Sequence, residues 1–253
     1  MVLAALVLAM SPQAAPPPAD SRRPEELEVV RTKTAYTLKA DELQVDGVLS
    51  FIAFDDKGNR PEFDLTSFTA EATYGITDWL TGEIEIPLLH LDPDPGDTES
   101  GIGDIALELK AAFSRNLVPI DLAAGIRTTL TTGDEDRGLG GDNSIFMPFA
   151  AVSYPFLPWM TGHGEVYAIV EEDRRPFHGL NLAADAVPWG PDLSLLLAFN
   201  VRRQGSDAAA WSIVPGAEYR WPEKSMAFAL GLPIGLNSRA EDFGVIADFQ
   251  IRL

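Results

Sequence analysis

From Leu80 to Leu88 the chain reads LTGEIEIPL, and residue character changes at every step. Leu80, Gly82, Ile84, Ile86 and Leu88 form one set, while Thr81, Glu83, Glu85 and Pro87 form the other. Successive strand side chains point to opposite faces, so this segment predicts a strand with one apolar and one charged face; a helix would mix the sets. The division recurs from Asp104 to Phe113, where Ile105, Leu107, Leu109, Ala111 and Phe113 oppose Asp104, Ala106, Glu108, Lys110 and Ala112. It returns from Phe243 to Leu253, with Phe243, Val245, Ala247, Phe249, Ile251 and Leu253 against Gly244, Ile246, Asp248, Gln250 and Arg252. Weaker alternation marks Leu65 to Tyr74, Asp121 to Leu130, Leu180 to Ala186 and Ser212 to Tyr219. Less regular candidates are Leu43 to Phe54, Ile145 to Tyr154, Glu165 to Glu171, Leu193 to Val201 and Met226 to Leu236. Together these make about twelve strands, each near the roughly 9–11 residues a tilted membrane strand needs.

A soluble sandwich also has two-faced strands, so the connections must decide which face meets solvent. Gly75 to Trp79, Ser114 to Pro119, Pro155 to Gly164, Pro188 to Asp192 and Trp221 to Ser225 are mostly short or contain proline. Between them come more polar connections: Asp55 to Asp64, Asp92 to Gly103, Thr132 to Ser144, Glu172 to Pro176, Gln204 to Ala209 and Asn237 to Asp242. Short turns on one rim and longer loops on the other is the arrangement of an outer-membrane barrel. Trp79, Trp159, Trp189 and Trp221 all fall at short connections, with Trp211 towards the other rim, as an interfacial aromatic girdle requires.

Hydrophobic residues make up 46% of the chain, yet after the N-terminus no run approaches the roughly 20 apolar residues of a spanning helix. MVLAALVLAM and the SPQAAPPPAD that follows resemble a secretory signal. The net charge of −19 argues against nucleic acid as a partner. The absence of cysteine excludes disulfides and thiolate chemistry and suits an oxidising compartment.

The segments ATYGITDWLTGEIEIPL, GIGDIALELKAAF, AAGIRTTLTTG and the closing GLPIGL to DFQIRL resemble an outer-membrane transporter family associated with the MetA pathway of phenol degradation. The likeness extends over roughly residues 30 to 253. It implies an outer-membrane barrel taking up small, often aromatic, molecules, and it brings no catalytic signature. The chain ends in Leu253 where such barrels commonly end in an aromatic, although Phe249 keeps one on the apolar set.

Charges facing lipid at the bilayer centre cost roughly 2–4 kcal/mol for Arg or Lys, so the charged face should line the lumen. The expected lumen-lining residues are Glu71, Glu83, Glu85, Asp104, Glu108, Lys110, Asp121, Arg127, Glu165, Asp185, Glu218, Arg220, Asp248 and Arg252. They form either a polar constriction that filters solutes or a set of salt bridges that fills the barrel. The acidic loops DPDPGDTES and TTGDEDRGLGGDNS lack the spacing of a calcium-binding EF-hand and read as solvated loops. Their GLGG and the GIG at Gly101 to Gly103 read as turn glycines. Of the three histidines available to an enzyme, His90 ends a strand near the long-loop rim and could face Ser100 or Ser144, His163 falls in a short connection and His178 starts a strand beside Pro176; no G-x-S-x-G elbow is present and no motif places a serine beside any of them.

The expectation is therefore an all-β, closed antiparallel up-and-down transmembrane β-barrel of about twelve strands. Residues 1–19 are a signal peptide, 20–42 a periplasmic segment or plug, and 43–253 the barrel. The expected function is an outer-membrane channel or transporter for small, aromatic or otherwise hydrophobic solutes, without cofactor, metal or catalysis. Its partners would be outer-membrane lipid, lipopolysaccharide and the solute. The alternatives are a non-conducting structural or surface-interaction barrel and a lipid-modifying enzyme.

Overall fold

Ile84, Leu107 and Phe249 are 39%, 39% and 38% exposed, while their chain neighbours Glu85, Glu108 and Asp248 are buried. The strands thus turn grease outward and charge inward, the reverse of a water-soluble core. The computed structural model describes residues 26–54, 62–94, 96–113, 120–172, 174–190, 192–205 and 207–253. The leader read at 1–19, residues 20–25 and the connections at 55–61 and 114–119 lie outside the described residues.

In chain order the strands are β1 (Glu26–Leu27), β2 (Thr32–Lys33), β3 (Leu43–Phe54), β4 (Glu62–Thr77), β5 (Leu80–Asp94), β6 (Glu99–Ile102), β7 (Ala106–Ala112) and β8 (Asp121–Thr129). They continue as β9 (Ile145–Leu157), β10 (Met160–Glu171), β11 (Phe177–Ala186), β12 (Leu193–Gln204), β13 (Ala210–Trp221), β14 (Met226–Gly231), β15 (Ile234–Gly235) and β16 (Phe243–Arg252). β1 and β2 pair with each other; the rest form one antiparallel sheet in which each stave pairs with its neighbours in sequence. β6 and β7 are two halves of one stave, both on β5, and β14 and β15 are two halves of another, both on β13. The ring therefore has twelve staves. It closes between β3 and β16, from Ala53 opposite Phe243 to Gln44 opposite Arg252. Leu43 and Leu253 exchange backbone hydrogen bonds of 3.2 and 2.7 Å at the seam. Closure satisfies every edge, which an apolar outer face needs because lipid offers no hydrogen bonds.

Both split staves have a proline beside the break, where the ladder lacks an N–H. Pro87 accepts from the Gly103 N–H at 2.8 Å, and Pro215 accepts from the Leu232 N–H at 2.9 Å. The connection expected from Pro155 to Gly164 is shorter than read: Pro155 stands opposite Thr161, β9 continues to Leu157, and Pro158 and Trp159 make the turn. Proline and glycine suggested a loop there, but an irregularity between Met160 and Thr161 absorbs them. Likewise β5 extends to Asp94, and β6 pairs with it inside the stretch expected to be loop. Trp79, Trp159, Trp189 and Trp221 are exposed at the short-turn rim, and Trp211 is exposed towards the other. Apolar belt, aromatic girdle and closed ladder together make this an outer-membrane-type β-barrel.

Candidate functional site in the barrel lumen

Strand register dictates the inner wall. Asp46 stands opposite Glu71 and Glu71 opposite Glu85; in the neighbouring row Thr73 faces Glu83, Glu83 faces Glu108 and Glu108 faces Arg127. Directly opposed like charges are destabilising, so the wall needs cations. Arg127 supplies one, with Nη2 2.5 Å from Glu85 Oε2. Lys110, 1% exposed, stands on the same face opposite Thr81.

Lys33 comes from outside the wall. Its Nζ lies 3.0 Å from Glu108 Oε2 and 3.5 Å from Glu83 Oε1, and its backbone N–H donates to Glu165 Oε2 at 3.1 Å. Residues 29–41 thread the ring and are tied to it repeatedly. At the short-turn rim the Asp41 N–H donates to the Gly75 carbonyl at 2.8 Å, and the Ala40 N–H to Asp78 Oδ1 at 3.1 Å. Deeper in, the Ala35 N–H donates to Ser153 Oγ at 3.0 Å. Asn181 Nδ2 donates to the Arg31 carbonyl at 2.8 Å and to Glu165 Oε2 at 2.9 Å. Arg31 Nη1 reaches Glu241 Oε1 at 2.9 Å. Val29 and Val30 pack with Val48, Leu196, Val214 and Ile246 on an apolar part of the inner wall. A Cβ on Gly231 would lie 2.2 Å from the Val29 carbonyl oxygen, so the segment approaches the wall where a side chain is missing.

The other expected lumen residues divide between this network and elsewhere. Arg220 bonds Glu218 and lies 4.0 Å from Asp185. Buried Asp248 accepts from Gln250 Nε2 at 2.8 Å, and Arg252 Nη2 donates to Gln44 Oε1 at 2.8 Å. Asp121 is half-buried opposite Ser153. Asp104 stands between β6 and β7, where its carboxylate accepts from the backbone N–H groups of Thr132, Gly133 and Gly141 at 3.0, 2.8 and 2.8 Å. It organises the loop after β8, in which Gly138 takes the left-handed conformation at φ 71°. Among the described residues no cluster of three or more His, Asp or Glu side chains could hold a metal.

Asp46, Lys33, Arg31 and Glu241 were not singled out from sequence. Asp46 alternates with the exposed Val45 and Leu49, a signal diluted by Gly47; the others meet the wall only through tertiary packing. Of the histidines, His90 meets one of the two serines it could face, and His163 departs from its expected place in a connection. His90 Nδ1 is 2.7 Å from Ser100 Oγ on the exposed face, and His163, a buried residue of β10 rather than of a turn, is 2.9 Å from Ser153 Oγ. Register set Ser153 opposite His163, which linear spacing does not reveal.

Along the barrel axis the inner face changes character. At the long-loop ends of β3, β4 and β5 it is apolar: Ile52, Leu65 and Leu91 share a row, and the rings of Phe54 and Phe63 stack at 4.4 Å. Leu139, from the loop after β8, is buried above Gly101. Across the lumen, Ile145, Met147 and Phe177 are half-buried on the same inner face.

No family model matches the chain, and no curated protein does. Among solved structures it is similar to the COG4313 outer membrane channel from Pseudomonas putida F1, at a TM-score of 0.73 and 17% identity over 87% of this chain and 98% of that one. It is also similar to the NanC porin, at 0.56 and 10% identity over 82% and 97%, and to the toluene transporter TbuX from Ralstonia pickettii, at 0.50 and 9% identity over 85% and 90%. At these identities the likeness is one of fold, and the fold it shares with them is the closed outer-membrane β-barrel.

Proposed function

We propose that this protein is an outer-membrane channel for small organic solutes with an aromatic or otherwise hydrophobic body, and that residues 26–42 are its plug. The carrying observation is the division of the lumen: an apolar vestibule under the long loops, and below it a charged ring crossed by a segment anchored through Lys33. A vestibule of half-buried apolar side chains favours apolar bodies over sugars. The channels and porins that share the fold support transport, and the toluene transporter and the phenol-pathway resemblance agree with the solute class. Planar-bilayer recording should give a small conductance for the whole chain and a several-fold larger one after deletion of residues 26–38. Proteoliposomes should take up benzyl alcohol faster than a sugar of similar mass. Exclusion of both by the deleted form would refute the reading. A filled, structural barrel is the second reading, favoured by the buried ion pairs of Lys33; it predicts that deletion lowers stability without opening a path.

A further inference from the structure

We propose that the vestibule holds an anion-binding station centred on Arg202, which takes small carboxylates with an apolar or aromatic body. This rests on the channel reading and names a substrate class within it. The station is built on one cross-strand row of the inner face: Tyr167 on β10 stands opposite Gly179 on β11, and Gly179 opposite Arg202 on β12. A Cβ on Gly179 would fall 2.0 Å from Tyr167 Cζ and 2.4 Å from its hydroxyl oxygen. The glycine is thus the gap that lets the Tyr167 ring lie across β11 towards Arg202. On the other side Arg202 Cζ lies 5.8 Å from the centroid of the Phe177 ring.

The arginine is open to an incoming ligand. Arg31, Arg137 and Arg174 are tied to Glu241, Glu99 and Glu171 at 2.9, 2.6 and 3.0 Å. Arg202 meets an aromatic face instead, is exposed, and has no carboxylate among the described residues within ion-pair distance. A ring contact at that distance does not consume the N–H donors, and a guanidinium matches a carboxylate through two parallel N–H groups. The segment that crosses the ring carries a second guanidinium to this wall: Asn181 and Asn200, one inward position from Gly179 and Arg202, donate to the Arg31 and Val30 carbonyls at 2.8 and 3.5 Å. The apolar surroundings set the rest of the ligand. Phe177 lines the same face, and Phe54, Phe63 and Leu139 supply apolar surface elsewhere in the vestibule, so a bare acetate gains the charge contact but not the burial.

Calorimetric titration of the purified full-length barrel in detergent with benzoate, benzyl alcohol and acetate tests this. Benzoate should bind at least tenfold more tightly than either of the others. Arg202→Gln should weaken benzoate at least tenfold and Arg202→Lys less, with benzyl alcohol unchanged. Arg203→Gln, the same charge change on the neighbouring residue whose Nε is bound to the Asp207 carbonyl, should leave benzoate binding intact. Heat-modifiable migration on gels checks that each variant is folded. Equal affinity for benzoate and benzyl alcohol in the unaltered protein, or an undiminished Arg202→Gln, overturns the station. Benzyl alcohol uptake into proteoliposomes is read separately, so a channel without an anion station is distinguished from no channel at all.

Discussion

The ammonium of Lys33 sits 3.0 Å from Glu108, a carboxylate that strand pairing places directly opposite Glu83. One side chain of the N-terminal segment therefore bridges a repulsive pair in the wall, and wall and segment depend on each other. Both partners are almost fully buried, with side-chain exposures of 4% and 3%. Removing one member of such a pair leaves an uncompensated charge in a low-dielectric interior, at a cost of roughly 3–5 kcal/mol.

Lys33→Met should accordingly release the segment while the twelve-stave ring still forms. The expected result is a several-fold rise in single-channel conductance, partly reversed when Glu108→Gln is added, because the second change removes the stranded charge. An unchanged conductance in the single variant would mean that Lys33 does not hold the segment in place.

Gly231→Leu tests the same docking from the opposite wall. Even its first side-chain atom would meet the Val29 carbonyl oxygen at 2.2 Å, so the segment must move or the variant must lose stability. Trypsin should then cut after Arg31 or Lys33, bonds that are shielded in the parent protein. Mass spectrometry of the released peptide reads the outcome, and equal protection in both proteins would contradict the close approach.

The outward apolar face makes a prediction of opposite sign to that for a soluble protein. Ile84→Arg on an outward position should destabilise folding into phospholipid vesicles by roughly 2–4 kcal/mol if the position lies near the bilayer midplane. Urea titration of vesicle-folded protein measures it. No loss of stability would indicate that Ile84 faces water.

In the loop after β8, a hydrogen bond with the Asp142 carboxyl, and then the charge of that group, raise the Glu135 pKa above its ordinary value. A raised carboxyl pKa means the folded loop holds the proton more tightly than the unfolded chain. This contribution is present below the ordinary Glu value and is lost as pH rises through the raised one. Carbon-detected NMR titration should place the Glu135 midpoint above that of an ordinary glutamate, and Asp142→Asn should bring it down. A midpoint insensitive to that substitution would separate the two groups.

Period-two alternation, from the sequence by itself, was enough to divide each strand into an apolar and a charged face, and the character of the connections turned the charged face inward. The mechanism is local: β geometry assigns Ile84 and Glu85 to opposite faces whatever the partner strand. Connection character and tryptophan placement likewise identified the two rims before any pairing was known. Tertiary structure alone decided which charges meet. Glu83 faces Glu108 because of register, a property of two strands together, and Lys33 reaches them only because a short segment crosses the finished ring. Contacts across a closed lumen join residues far apart in the chain, such as Arg31 and Glu241, and no periodicity along one strand encodes them.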